Sequence, residues 1–157
     1  MLVDPSIPMN IGVVMRTASA FDVRNVAIVS EKLDTFNPQL IRYSMGARLT
    51  MHVETFPTID AYIERFPDNR RYAFMLDGST ELGKVEKSEP YSLIFGNETR
   101  GLPPEFADFC QPVRIEQSSR VDSLNLSNAV AVASYCFARS APATEGDLAR
   151  SAEEYTI

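Results

Sequence analysis

The chain has 157 residues, 45% hydrophobic, 23% charged and 10% aromatic, enough for one domain with a sizeable core. Its longest apolar run, Ala129 to Ala138, contains Ser134 and Tyr135 and falls well short of the ~20 residues a membrane-crossing helix needs. Asp4 and Pro5 stand where a secretory leader would need basic residues and an apolar core, so a cytoplasmic protein with no membrane partner is expected.

The net charge of −6, from 21 acids and 15 bases, argues against an indiscriminate nucleic-acid binder. Residues 141–157 carry Glu145, Asp147, Glu153 and Glu154 against Arg150 alone, which separates an acidic tail from a domain over residues 1–140. Twelve of the bases are arginine, whose planar fork suits phosphate. His52 is the single histidine and Cys110 and Cys136 the only cysteines. Neither a disulfide framework nor a cysteine-histidine metal site is expected, and hydrolysis by a serine-histidine or cysteine-histidine pair is disfavoured.

In chain order, a short strand at Leu2-Val3 precedes a helix near Asn10 to Phe21, where Ile11, Val14, Met15 and Ala18 share one face. Asn25 to Ser30 reads as a strand, and Asn37-Pro38 as the cap and first position of a helix reaching about Met45. Met51 to Phe56 predicts a strand, Thr58 to Phe66 a helix stopped by Pro67, and Tyr72 to Asp77 and Tyr91 to Phe95 two buried strands. A short helix after Pro103-Pro104, a strand at Val113 to Ile115 and a helix from Leu126 to Arg139 complete the chain. Strand-helix alternation implies an α/β domain with a mainly parallel sheet flanked by helices.

Gly78 to Lys84 (GSTELGK) nearly matches a phosphate-binding loop, the basis of a nucleotide-binding alternative. Val85 supplies no hydroxyl for a magnesium ion, however, and Pro90 follows too soon for the helix whose N-terminus would receive phosphate. A surface turn is the better reading. Gly78 stays a ligand-contact candidate because the carboxyl ends of parallel strands are where ligands sit.

Chemistry concentrates in three stretches. In Asn10-Ile-Gly12-Val-Val-Met-Arg16, nearly two helical turns separate Asn10 from Arg16, and Gly12 leaves the backbone approachable; alone it reads as a helix cap with a solvated arginine. In Leu93-Ile-Phe-Gly96-Asn-Glu98-Thr-Arg100-Gly101-Leu102-Pro103, an apolar strand breaks into a glycine-flanked loop with a carboxylate and an arginine; alone it is an ordinary strand-to-helix turn. Between Val113 and Ala129, polar residues including Gln117, Ser123, Asn125 and Ser127 crowd before an apolar helix, which Ser123 or Ser127 could simply cap.

Taken in this order, N-x-G-x-x-x-R, F-G-N-E-x-x-G-L-P and S-L-N-L-S-N-A-V, with Ser44-Met-Gly46-Ala47, resemble the SpoU (TrmH-like) RNA ribose 2′-O-methyltransferases of the SPOUT superfamily over residues 10–135. The resemblance implies a C-terminal deep trefoil knot, S-adenosylmethionine as methyl donor, a homodimer and an RNA substrate, tRNA or rRNA. It implies a catalytic cluster of Asn10, Arg16, Glu98, Ser123 and Asn125. The donor would be held by Leu76, Gly96, Ile115, Ser123 and Leu124, with Gln117 beside them. Arg16 would grip an RNA phosphate, oriented by Asn10 and Glu98, while Ser123 and Asn125 hold the loop and the ribose. A knotted RNA-binding dimer without turnover is the alternative. Glu116-Gln117 departs from the proline and apolar residue usual in the family, and the first strand is so short that further N-terminal residues or an RNA-binding domain are expected to precede it. At a sequence pI near 4.8, RNA affinity requires a local patch, for which Arg16, Arg42, Arg48, Arg100 and Arg120 are candidates.

Overall fold

The computed structural model describes residues 1–138; the acidic tail lies outside them. Seven strands, β1 (Leu2–Val3), β2 (Asn25–Val29), β3 (His52–Phe56), β4 (Arg70–Phe74), β5 (Thr80–Glu81), β6 (Tyr91–Ile94) and β7 (Gln111–Arg114), pair only in parallel. Two ladders, β1-β2-β3 and β5-β7-β4-β6, become one sheet because Leu2 bridges Phe95. The Val3 N–H donates to the Phe95 carbonyl at 2.8 Å and the Phe95 N–H to the Met1 carbonyl at 3.0 Å. The Met1 amino group donates to the Leu93 carbonyl at 2.6 Å. The spatial order β3-β2-β1-β6-β4-β7-β5 therefore reverses direction at β1, and the crevice above a reversal is where open parallel sheets accept ligands.

Strand pleating sends alternate residues to opposite faces. Leu2 and Ile28 face α1 (Pro8–Ala20), α2 (Pro38–Ser44) and α6 (Leu126–Ala138), burying Ile11, Met15, Leu40, Val130 and Ala133. Val29 and Phe56 face α4 (Ile59–Arg65) through Tyr62, while Ala73 and Ile94 pack against Phe106 of α5 (Phe106–Phe109). The result is three layers with helices on both sides. Gly12 serves this packing rather than a ligand: a Cβ there would lie 2.5 Å from the Leu40 carbonyl oxygen and 2.9 Å from the Ser44 nitrogen. The approachable backbone that the sequence suggested is approached by α2.

α1 starts at Pro8, ahead of the expected Asn10, and β7 runs Gln111–Arg114 rather than Val113 to Ile115; three further segments differ from expectation. β4 ends at Phe74, because Met75 to Asp77 leave the sheet to wall a cavity. A four-residue helix, α3 (Ala47–Thr50), follows the left-handed Met45 and Gly46, at φ 50 and 91°. The turn expected at Gly78 to Lys84 contains β5 and a 3-10 turn, Leu82–Lys84, with Leu82 buried and Lys84 paired to Glu81. Gly78 lies against the backbone of β7, where a Cβ would be 2.5 Å from the Val113 carbonyl carbon. The next element is β6 rather than a helix, so this segment is no phosphate loop. No helix among the described residues is long and apolar enough to cross a membrane.

Candidate functional site

At the reversal, the loops leaving β4, β6 and β7 enclose a cavity of 290 Å³, at the small end of the range for small-molecule sites. Phe74 and Phe95, at the ends of β4 and β6, line it and stack with ring centroids 4.5 Å apart and planes at 12°. Six of the expected donor positions meet there: Leu76 from the β4 loop, Gly96 from the β6 loop, and Ile115, Gln117, Ser123 and Leu124 from the segment between β7 and α6. Gly78 is outside the lining, behind it against β7. Gly96 has to be glycine, since a Cβ would sit 2.2 Å from the Gly101 carbonyl carbon and 2.4 Å from the Leu102 nitrogen. The loop closes on itself through the Gly101 N–H to the Asn97 carbonyl, at 2.9 Å, with Gly101 at φ 68°.

Glu98 lines the same cavity but its carboxylate points to the start of α1. It accepts from the Ser6 N–H at 3.0 Å, the Ser6 hydroxyl at 2.9 Å, the Ile7 N–H at 3.2 Å and Asn10 Nδ2 at 3.3 Å. Burial pulls the Glu98 pKa up, but the N–H groups of Ser6, Ile7 and Glu98 itself, with the Ser6 hydroxyl, outweigh it and hold the group below the ordinary carboxylate value. Ile7, the N-cap of α1, has no capping side chain; Glu98 reaches the N-cap N–H as the glutamate of a capping box does, from 91 positions away, where a negative charge also suits the helix dipole. Alongside, Asn97 Nδ2 donates to the Asp4 carbonyl at 2.9 Å, and Arg100 forms an ion pair with Asp4.

Asn10 is thereby fixed and buried. Arg16, two turns along α1, is exposed and forms no hydrogen bond or ion pair with a described residue. Glu98 therefore reaches Arg16 only through the helix. At the other motif, Asn125 rather than Ser123 or Ser127 caps α6: its Oδ1 accepts from the Ser127 N–H at 2.9 Å and the Ser127 hydroxyl at 2.7 Å. That pins Asn125 and leaves its Nδ2 free to donate outward. Ser123 stands exposed at the cavity edge.

Of the arginines expected to form an RNA-facing patch, Arg42, Arg100 and Arg120 are exposed like Arg16. Arg48 is not part of it. Only 8% exposed, it donates to the Thr35 carbonyl and hydroxyl, each at 3.1 Å, and stacks 4.3 Å from the Phe36 ring centroid, so its charge fastens the β2–α2 loop. A second cavity, of 540 Å³, opens at the opposite end of the sheet, between the starts of β2 and β6 beneath the short β1. None of the expected catalytic or donor residues line it, so its size does not make it the site.

Sequence reasoning passed over Asp4, Ser6, Asn97, Phe74 and Phe95. The signal for the first two was the polar Asp4-Pro5-Ser6 break between strand and helix, and for Asn97 its place beside Glu98. Among the described residues, no group of three or more His, Cys, Asp or Glu could hold a metal ion.

Comparison with known proteins fits this geometry. A tRNA (cytidine(34)-2′-O)-methyltransferase of Aeromonas hydrophila is 30% identical over 85% of this chain and 88% of its own length. An uncharacterized tRNA/rRNA methyltransferase of Synechocystis is 28% identical over 82% of this chain, which spans 48% of that relative's length. The AdoMet-bound rRNA methyltransferase of Sinorhizobium meliloti superposes with a TM-score of 0.78 at 31% identity, over 88% of this chain and 54% of that one. The match to the SpoU rRNA methylase family covers residues 1–135; the chain belongs to that family.

Proposed function

We propose that the protein transfers a methyl group from S-adenosylmethionine to a ribose 2′-hydroxyl of structured RNA, tRNA or rRNA. The observation that carries this is the convergence of the β4, β6 and β7 loops on one cavity whose β6 wall also grips the helix bearing Asn10 and Arg16. Names of the Aeromonas and Sinorhizobium relatives support it.

The cavity suits a donor with an aromatic base and a positive sulfonium. Leu76 and Ile115 offer apolar surface, and the glycine-lined loop exposes backbone for polar edges. The charged groups lining it are Asp77, Glu98 and Arg100, and Arg100 is already neutralised by Asp4. The bound donor would supply an electrophilic methyl carbon to the ribose 2′-oxygen, its C–S bond electrons leaving with sulfur. What remains for the protein is alignment and help with one proton. A guanidinium is a poor proton acceptor, so the role assigned to Arg16 is a clamp: its planar fork would grip the phosphate beside the target ribose, placing the hydroxyl while that phosphate or water takes the proton. Asn125 Nδ2, pinned by its cap, would donate to the ribose, and Ser123 would hold the mouth of the cavity.

We assign a deep trefoil knot to the passage from β7 to α6. β7 lies between β4 and β5, whereas α6 packs on α1 across β1, so residues 115–125 must cross the ends of β4 and β6 beside the Gly96 loop. We also assign a homodimer: α1, α2 and α3, with the turn between the last two, expose Met9, Tyr43, Leu49 and Met45, at 42, 41, 68 and 72%, apolar surface of the kind partners cover. Sedimentation at micromolar concentration checks it. Action in the cytoplasm follows from the RNA substrate.

The test is incubation with RNA from a strain lacking the protein, labelled donor and nucleoside mass spectrometry. Label on 2′-O-methylnucleosides is expected, and fractionated tRNA and rRNA identify the substrate. Label only on bases, or nowhere, overturns the assignment.

A further inference from the structure

The β6 loop has two working faces. One, with Gly96, Thr99 and Leu102, lines the cavity; the other holds residues 4–10. Between them stands one carboxylate, and Ser6 is the residue that binds it twice, through its N–H at 3.0 Å and its hydroxyl at 2.9 Å. Ser6 lies outside the three stretches that carry the chemistry. The segment it belongs to is anchored again by Asn97 on the Asp4 carbonyl and by the Arg100–Asp4 ion pair. Because α1 has no capping side chain of its own, the alignment of its first turn depends on this grip. Met15 and Ile11 are fully buried, so the helix behaves as a stiff rod on the core: a shift at its first turn is felt at Arg16.

We propose that Ser6 is a positioning residue, whose hydroxyl and amide lock Glu98 to the start of α1 so that the cavity wall and the helix carrying Asn10 and Arg16 move together. Donor in the cavity thus sets Arg16 for the RNA backbone, and by reciprocity RNA on Arg16 tightens the donor. The proposal rests on the methyl-transfer reading for its consequence, but the link itself is readable without turnover.

Ser6 is exposed, and in Ser6→Ala the Glu98 carboxylate keeps the Ser6 N–H, the Ile7 N–H and Asn10, so the variant is expected to fold with its donor affinity within about twofold of wild type. Loss of one hydrogen bond to a charged group lowers kcat about tenfold, and Ser6→Thr, which retains the hydroxyl, restores it. Hydrogen exchange gives the second readout. The Ile11 N–H is bonded to the Ile7 carbonyl at 3.2 Å; its exchange slows on adding S-adenosylhomocysteine to wild type and slows less in Ser6→Ala, which lacks one of the four bonds to Glu98. An unchanged kcat in Ser6→Ala, failure of Ser6→Thr to restore it, or wild-type Ile11 exchange indifferent to the bound compound overturns the proposal. Should wild type show the exchange coupling yet methylate no ribose, the link stands and the assigned reaction falls.

Discussion

Replacing Gly12 by alanine sets two effects against each other, and the structure decides the sign. In an exposed helix the change stabilises by about 1 kcal/mol. Here the new methyl would lie 2.5 Å from the Leu40 carbonyl oxygen, 2.9 Å from the Ser44 nitrogen and 2.9 Å from Tyr43 Cβ. None of these is the far end of a flexible side chain, so α1 and α2 must separate by about 1 Å to reach ordinary contact, a gap that forfeits up to roughly half of each dispersion contact across it. The contacts at risk include Ile11, Met15 and Leu40, all at 0% exposure. Overpacking of a core costs about 1–3 kcal/mol, and with backbone on the other side the upper end applies. After the helix-propensity gain, a net loss of about 2 kcal/mol remains, or ~4–8 °C in melting temperature for a domain of this size. Urea unfolding should show a lower midpoint at an unchanged slope. A Gly12→Ala protein as stable as wild type would refute the reasoning that this glycine exists for the helix crossing. Because the displaced helix carries Asn10 and Arg16, methyl transfer should fall further than donor binding.

Gly96→Ala is expected to weaken donor binding at least about tenfold by calorimetry, since its Cβ would fall 2.2 Å from the Gly101 carbonyl carbon; wild-type affinity would deny that this loop forms the cavity wall. Arg16→Lys keeps the charge but loses the fork; methyl transfer should drop roughly tenfold or more with donor affinity unaltered, and retention of most activity counts against the phosphate clamp. The depressed Glu98 pKa fixes a sign with pH. Its contribution to the start of α1 is present above the unfolded value of 4.5 and is lost as pH falls through the lower folded value. Protection of the Ile11 amide, measured against Glu98→Gln as the reference, should decline over that acid window; a parallel decline in both proteins would remove Glu98 as the cause. Arg48→Met should lower stability by about 2 kcal/mol, through two lost charged hydrogen bonds and the Phe36 stack, without changing the salt dependence of RNA binding; a shallower salt slope would return Arg48 to the RNA-facing patch.

Periodicity made the layers legible. Ile11, Val14, Met15 and Ala18 announced α1, a β-branched run announced β2 and the short run from Tyr91 to Phe95 announced β6, because burial on one or both faces leaves a spacing in the sequence. Asn37-Pro38 marked the start of α2 because cap chemistry is local, and the Asn37 side chain does accept from the Gln39 N–H at 2.9 Å. The residues that converge on the cavity were named through the resemblance of three motifs to one family; that loops so far apart in sequence meet follows from parallel strands releasing them at one end. What the sequence hid is non-local or degenerate. Nothing near Ser6 tells of a carboxylate 92 positions later. Arg48 looks like any surface arginine until the Thr35 carbonyl and hydroxyl satisfy it. Asn125, Ser123 and Ser127 offer similar capping chemistry, and only the path of the chain selects one. β5, two residues long, leaves no period to detect.

The placement of β1 has a consequence for biosynthesis. Its two residues join β2 to β6, and the Val3 N–H bonds to the Phe95 carbonyl at 2.8 Å, so the middle of the sheet cannot close until β6 has left the ribosome. Until then the nascent chain carries Leu2 and Val3 without half of their native neighbours, and the sheet matures by a late, non-local pairing, the kind that makes acquisition of structure slow.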